Sequence, residues 1–385
     1  MTLVLHIGIS KTGSSAIQYG LARYHETLSE LGVHYAIKNA ADLVANRRIS
    51  SGNGASIAKL LNPLDPNHGS LDTLSPEAFA RTYLSNTHPV SLISSEGLSN
   101  ASPELLARFN RDVVGQREVK VIAFVRNLYG HAVSSWMQRI KRHGYTKDFL
   151  RFCEEKYRNK QCTALRTYAD EFGEENMTVI HYNTLQADVF SVFLGALGLD
   201  WRPEEPAPQM NRSLSATEID VLSKCNRVHK KSAMLGQTVS DRLIIWKPEK
   251  PKAVIRSEAA AELLRARYAE EVDWVNGAFF GGDQVLKVVG PEFDAAGAAK
   301  PEPAEEVWLD VVKALGDEVL LLRRLNQNLR AAHSGQPAQL APPSAAPGPA
   351  AAAAQDLGGR AAAWFGTGKG GSEEATSAKR SKVGT

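Results

Sequence analysis

The sequence predicts an α/β protein: an open parallel sheet with flanking helices, continuing into a helical C-terminal part and a disordered tail. Three observations predict it. Over the first 200 residues, short apolar runs alternate with amphipathic stretches, the order of strands joined by crossover helices. From about 201 the periodicity is mainly helical. From 334 onward, alanine, proline and glycine leave too little apolar surface to order a chain.

The strand candidates are 3–7 (LVLHI), 90–95 (VSLISS), 119–125 (VKVIAFV) and 177–182 (MTVIHY), with a weaker one at 33–37 (VHYAI). Each is a compact apolar run, as expected of parallel strands covered on both faces. After the first, Ile17, Leu21, Tyr24, Leu28 and Leu31 recur at steps of four and three, which predicts one helix ending at Gly32. Ser102 and Pro103 have the N-cap and first-turn chemistry of another. Further helices are expected from about Asn127 to Gly144, over 186–197, over 257–279 and from 304 to about 332. Residues 38–75 carry many Gly, Pro, Asn and Ser and read as a long surface insertion beside the sheet. The chain thus divides into an α/β domain over 1–290, mainly helical after 201, a helical segment over 291–333 and a tail over 334–385.

A chain of 385 residues can bury one large core or two modest ones. A formal net charge of +3 is too small to argue for nucleic acid, so any basic feature must act locally. Cys153, Cys162 and Cys225 have no metal-ligand spacing and read as reduced thiols. The N-terminus passes from Met1 directly into a strand pattern, and no apolar run approaches the roughly 20 residues a bilayer needs. A cytoplasmic location is expected.

The chemistry concentrates in "GISKTGSS", residues 8–15, directly after the first strand. Gly8 and Gly13 permit a tight turn and close approach to a ligand. The helix that follows offers N–H groups and a positive dipole end to an anion, and Lys11, Ser14 and Ser15 add a charge and two hydroxyls. A plain strand–turn–helix with Ser14 or Ser15 as N-cap is the alternative for this stretch. The sheet is accordingly expected to be of P-loop nucleotide-binding type. Its lysine, however, precedes the second glycine, whereas phosphate-hydrolysing loops carry Gly-Lys-Ser/Thr. The residue after Gly13 is Ser14, and no convincing acidic strand end supplies a second magnesium ligand; an early cation with no metal partner suits a transferred group of lower charge, such as a sulfuryl group.

"HIGISKTGSSAIQ" resembles the 5′-phosphosulfate loop of sulfotransferases that use 3′-phosphoadenosine 5′-phosphosulfate (PAPS), especially bacterial carbohydrate-type members. "VIAFVRNLYGHAVSSW" is similar to their strand–Arg–helix element, in which an arginine is followed eight residues later by a serine, here Arg126 and Ser134. "HYNTLQADVFSVFLGALGL" and "NRSLSATEIDVL" resemble later family segments, so the likeness spans about residues 3–280. It implies a donor site of Lys11, Thr12, Gly13, Ser14 and Ser15 on the 5′ side, Arg126 and Ser134 on the 3′-phosphate, and Tyr182 against the adenine. It also implies transfer to a hydroxyl of a carbohydrate or glycolipid, with no metal.

Arg126 ends a strand, and at the carboxyl edge of a parallel sheet its planar fork can hold a phosphate through two hydrogen bonds. Lys11 is assigned to the leaving phosphate, and Glu96, directly after "VSLISS", to the base for the acceptor hydroxyl. Families of this kind use Glu or His, and His131 is the other candidate; His6, inside a strand, reads as a core imidazole. The basic run Arg139, Lys141, Arg142 and His143 reads as a solvated helix end, and "NRSLS" at 211–215 either approaches the donor or caps the next helix through Ser215. Two other functions remain open at this level: a small-molecule kinase using ATP and Mg²⁺, and a catalytically silent nucleotide-binding protein.

Overall fold

Apolar runs become strands where their alternate side chains can be buried on both faces. The computed structural model describes residues 1–45, 51–85, 87–185, 188–204, 213–228, 233–247, 255–291, 293 and 303–333. The calls on the tail over 334–385, on Asn211 and Arg212, and on residues 186 and 187 lie outside them.

Among the described residues five strands form one sheet: β1 (Thr2–Ile7), β2 (Val33–His34), β3 (Val90–Ser95), β4 (Glu118–Val125) and β5 (Met177–His181). Their order is β2-β3-β1-β4-β5 and every pairing is parallel, with Leu5 opposite both Ile93 and Val121. All five therefore end at one edge.

Period-two alternation sends the strand residues into two cores. Val4, Leu92, Ile122 and Phe124 face α1 (Ser14–Arg23) and α10 (Val189–Ala196), meeting Ile17, Leu21, Phe190 and Phe193. Leu3, Leu5, Ile7, Ile93, Val121 and Ala123 face the opposite layer, which includes α4 (Ala55–Leu61), α6 (Pro103–Phe109), α7 (Leu128–His143) and α9 (Lys160–Phe172). Phe190 and Phe193 are fully buried, and each such ring is worth about 1.5–3 kcal/mol of transfer free energy.

Local signals set most helix ends. Ser102 accepts from Leu105 N–H with Pro103 behind it, Asp188 accepts from Phe190 and Ser191 N–H, and Gly144 closes α7 at φ 64°. The single helix expected up to Gly32 is instead two, α1 and α2 (His25–Glu30). Tyr24 leaves helical geometry at φ −111°, ψ 22°, while the His25 imidazole takes up the Ala22 carbonyl at 3.0 Å. Leu31, expected on the apolar face, is 39% exposed as a result. The weak strand over 33–37 shortens to the two residues of β2, and Tyr182 begins a 3-10 turn rather than ending β5.

The short β2 leaves most of the outer edge of β3 without a strand. A side chain takes over: Asn53 donates Nδ2 to Leu92 O at 2.9 Å, and its Oδ1 accepts from Ser94 N at 2.8 Å. Gly54 N–H adds a bond to Ser94 O at 3.1 Å. Part of the 38–75 stretch thus extends the ladder, and Ile57, Ala58 and Leu61 of α4 are buried.

The C-terminal part is helical as expected, with α11 (Ala216–Val228), α12 (Ala233–Trp246), α13 (Glu258–Phe279) and α14 (Ala304–His333). Ser215 opens α11 through a reciprocal cap: its Oγ accepts from Glu218 N at 3.2 Å and its N–H donates to Glu218 Oε2 at 2.8 Å. α11 and α12 pack against α7, and Asn226 Nδ2 donates to Ile140 O at 2.9 Å. Among the described residues no helix is long and apolar enough to cross a membrane.

Removing the Asn53 amide tests its place in the sheet. Asn53→Ala leaves Leu92 C=O and Ser94 N–H without that partner, and denaturant unfolding should show a loss of about 1–3 kcal/mol. A loss below about 0.5 kcal/mol, the level of an ordinary surface substitution, would show that water replaces the amide without cost.

Candidate active site at the carboxyl edge of the sheet

Because the strands are parallel, the residues that follow β1, β3, β4 and β5 emerge at the same edge, where open α/β sheets bind ligands. The 8–13 loop follows β1, Glu96 follows β3, Arg126 follows β4 and Tyr182 follows β5.

The loop lies directly on the end of β3. Gly8 N–H donates to Ser95 O at 3.0 Å, and a Cβ at Gly8 would stand 3.0 Å from Glu96 Cα and 3.1 Å from Glu96 N. Such contacts are tighter than nearly all real Cβ contacts, so the glycine eases the approach. Two left-handed residues then turn the chain, Lys11 at φ 65° and Gly13 at φ 91°. For a residue with a Cβ, this conformation costs about 1–2 kcal/mol and persists where its surroundings over-determine it. Gly13 caps α1 without a side-chain hydrogen bond, so Ser14 and Ser15 are not its N-cap. Thr12 Oγ1 and Ser14 Oγ instead donate to Ile9 O at 2.6 and 2.9 Å, tying the loop to itself, while Ser15 is half-buried.

The lysine's early position now has a structural counterpart. Lys11 Nζ reaches across to α7 and donates to Gln138 Oε1 at 2.9 Å. Burial lowers its pKa; the Glu96 charge acts against that shift, and the Arg142 and Arg126 charges add to it. The carboxyl of Glu96 is pushed up by the protein crowded around it and held back by Lys11. Its side chain still reaches solvent, so the cation and the carboxylate influence one another at the mouth of the site.

Arg126 is 8% exposed and held through its backbone: its N–H donates to Gln161 Oε1 at 2.8 Å, and Gln161 Nε2 donates to Arg126 O at 3.1 Å. The guanidinium turns toward the loop, with Nη1 3.4 Å from Lys11 O and the carbon centre 5.8 Å from the Tyr182 ring centroid. Tyr182 itself packs at Gly13, where a Cβ would meet its ring at 3.1 Å. Ser134 is half-buried, at helical spacing from His131 and Gln138 on α7.

A cavity of about 170 Å³ opens beside these groups, lined among others by Ser10, Glu96, Asn100, His131, Lys160 and Gln161. Lys160 Nζ donates to Asn100 Oδ1 at 2.7 Å at its rim. His131 is buried, bonded through Nδ1 to Tyr157 OH at 3.0 Å and with Nε2 3.5 Å from Ser10 Oγ. Burial, then the Arg126 charge, lower its pKa to about 3. His6 is a core imidazole, bonded to Ser94 Oγ at 2.8 Å and also lowered to about 3 by burial.

Of the basic run at the end of α7, Arg139 and His143 are exposed as expected, whereas Lys141 and Arg142 are not. Lys141 is 7% exposed, and Arg142 forms an ion pair with Asp241 at 2.7 Å, because α12 covers that side of the helix. Nothing in the sequence marks Gln138, Gln161 and Lys160 as site residues. Each is an ordinary polar residue on a helix, and only the packing of α7 and α9 brings it to the sheet edge.

No protein-family model matches the chain, and no curated protein matches it. Among solved structures, a sulfotransferase from Alicyclobacillus acidocaldarius is 16% identical, covering 58% of this chain and 92% of that one at a TM-score of 0.32. A likeness of that size decides neither fold nor activity.

The raised Glu96 carboxyl has a measurable sign. Between the unfolded value of about 4.3 and the higher folded value, the native state binds more protons, so Glu96 lowers stability as pH rises through that window. The unfolding free energy of Glu96→Gln minus that of the wild type should therefore be smallest at acid pH and grow toward neutrality. Denaturant titrations between acid and neutral pH check this, and a difference that shrinks as pH rises would mean that Lys11 outweighs burial.

Proposed function

We propose that the protein is a PAPS-dependent sulfotransferase that transfers a sulfuryl group to a hydroxyl of a carbohydrate or glycolipid. One observation carries the reading: Lys11, held in a left-handed turn after β1, and Glu96, after β3, act on one another's charge, and Glu96 lines a cavity of about 170 Å³. Sulfuryl transfer needs a cation where a phosphate leaves and a base where a hydroxyl attacks.

In this reading Lys11, Thr12, Gly13, Ser14 and Ser15 hold the 5′ side of the donor, with the N-terminus of α1 facing the anion. Arg126 and Ser134 take the ribose 3′-phosphate, and Tyr182 takes the adenine. Glu96 accepts the proton of the acceptor hydroxyl as its oxygen bonds to sulfur. Lys11 neutralises the bridging oxygen as the sulfur–oxygen bond to the 5′-phosphate breaks and adenosine 3′,5′-bisphosphate departs. The electrostatics support Glu96 over His131 as the base. A carboxyl shifted upward moves toward the operating pH, whereas an imidazole lowered to about 3 is a poor proton acceptor at neutrality.

Calorimetry with three ligands tests the donor assignment. Adenosine 3′,5′-bisphosphate should bind more tightly than ATP, with or without Mg²⁺. Arg126→Ala should weaken the bisphosphate about ten- to a hundred-fold and leave adenosine 5′-phosphate nearly unchanged. A preference for ATP, or equal losses for both ligands, would overturn the reading at its donor site.

Mass spectrometry of glycans incubated with enzyme and PAPS tests the transfer. Glu96→Gln should lower turnover by about 10² to 10⁴ with little change in bisphosphate affinity. Lys11→Gly should also abolish most turnover, yet it should keep or raise the melting temperature because it relieves the left-handed backbone. Near-normal turnover in either variant removes that residue from the mechanism.

A further inference from the structure

The helix α14 has two apolar faces, and the protein's own core covers one of them. Val307, Val311 and Ala314 are buried, and α14 packs on α11 and α12. Asp310 pairs with Lys247 at 2.5 Å, and Lys313 lies over the Trp246 ring at 4.7 Å. Beyond Glu318 the situation changes. Apart from Leu321 and Leu325, every residue from Val319 to Leu329 is exposed, with Val319, Leu322 and Leu329 showing 50%, 56% and 61% of their surface.

Leu309 and Leu320 are exposed away from any stripe, at 69% and 54%, but the other exposed apolar residues of α14 share one spacing. Trp308, Val312, Leu315, Val319, Leu322, Asn326 and Leu329 follow one another at strictly alternating steps of four and three. That is the 3.5-residue repeat of a coiled-coil seam. Val312, Val319 and Asn326 occupy one seam position; Trp308, Leu315, Leu322 and Leu329 occupy the other. The seam leaves the domain at Leu315, which is half-buried against the core.

We propose that α14 is a dimerisation element that pairs in parallel with α14 of a second copy of this chain. Valine at the first seam position with leucine at the second favours two strands, because the branched Cβ fits the parallel packing of a pair. A single asparagine at the first position sets register, since in a parallel pair Asn326 meets its own counterpart and the two amides satisfy each other. An antiparallel partner would set the Asn326 amide against an apolar side chain. The seam spans about 31 Å at 1.5 Å per residue, three heptads.

Sedimentation velocity on the full chain at micromolar concentration tests this. The expected species contains two chains. Leu322→Lys with Leu329→Lys should weaken association on the order of 100-fold or more, because both ammonium groups would enter the seam. Both leucines are exposed on the single chain, so its melting temperature should change little. Leu320 is the control: 54% exposed and adjacent in sequence, but off the seam. Leu320→Lys should remain dimeric. Asn326→Cys should form an interchain disulfide on mild oxidation, whereas Cys153, Cys162 and Cys225 are buried and should not. A single-chain wild type, an assembly of more than two chains, dissociation by Leu320→Lys, or a dimeric Asn326→Cys that resists cross-linking would each overturn the proposal.

Discussion

The site depends on one close approach, between the loop after β1 and the end of β3. Gly8 has no Cβ, so its backbone can lie against Glu96 while its N–H extends the sheet to Ser95 O. A Cβ there would require the backbone at Glu96 to give by a few tenths of an ångström. The other side of β3 is held by Asn53, whose amide replaces a missing strand next to Ser94. Glu96 thus follows a strand pinned on both edges, and its backbone cannot drift relative to the loop.

Charge and burial act against each other in the space so defined. Lys11 and Arg126 are cations gathered at one edge, which burial and mutual repulsion disfavour; Glu96 offsets part of that cost for Lys11. The same crowding raises the Glu96 carboxyl and holds His131 neutral. A fold selected only for stability would not collect these groups in one place, nor hold a lysine at positive φ to do so. Under the proposed function, an anion bound there would relieve that repulsion.

The helical part after residue 201 contributes at a distance. α11 and α12 cover α7, Asn226 holds the Ile140 carbonyl, and the backbone at Lys287 and Val288 accepts the N–H groups of Leu128 and Tyr129. α7 carries His131, Ser134 and Gln138, so the helices behind it fix the group that meets Lys11 Nζ. Gln161 does the same for Arg126 from α9, through two hydrogen bonds to its backbone.

The amino-acid sequence by itself determined the strands, the parallel sheet and the loop after β1. These follow from local chemistry: unbroken apolar runs, capping at Ser102, and glycine where the chain turns left-handed at Gly13. It also marked Lys11, Glu96 and Arg126, because residues just past strand ends share one edge once the sheet is parallel. Only the tertiary structure decided the rest. Lys11 and Gln138 are 127 residues apart, Arg126 and Gln161 are 35 apart, and Asn53 and Ser94 are 41 apart. Glutamine and asparagine on a helix or loop carry no periodic or spacing signal that would announce such partners. Even the break at Tyr24 escaped the pattern, since apolar periodicity continues through it and only the backbone geometry records the turn. Hydrophobic patterning is local and repeats, so it can be read along the chain; a hydrogen bond between distant side chains exists only once packing has brought them within reach.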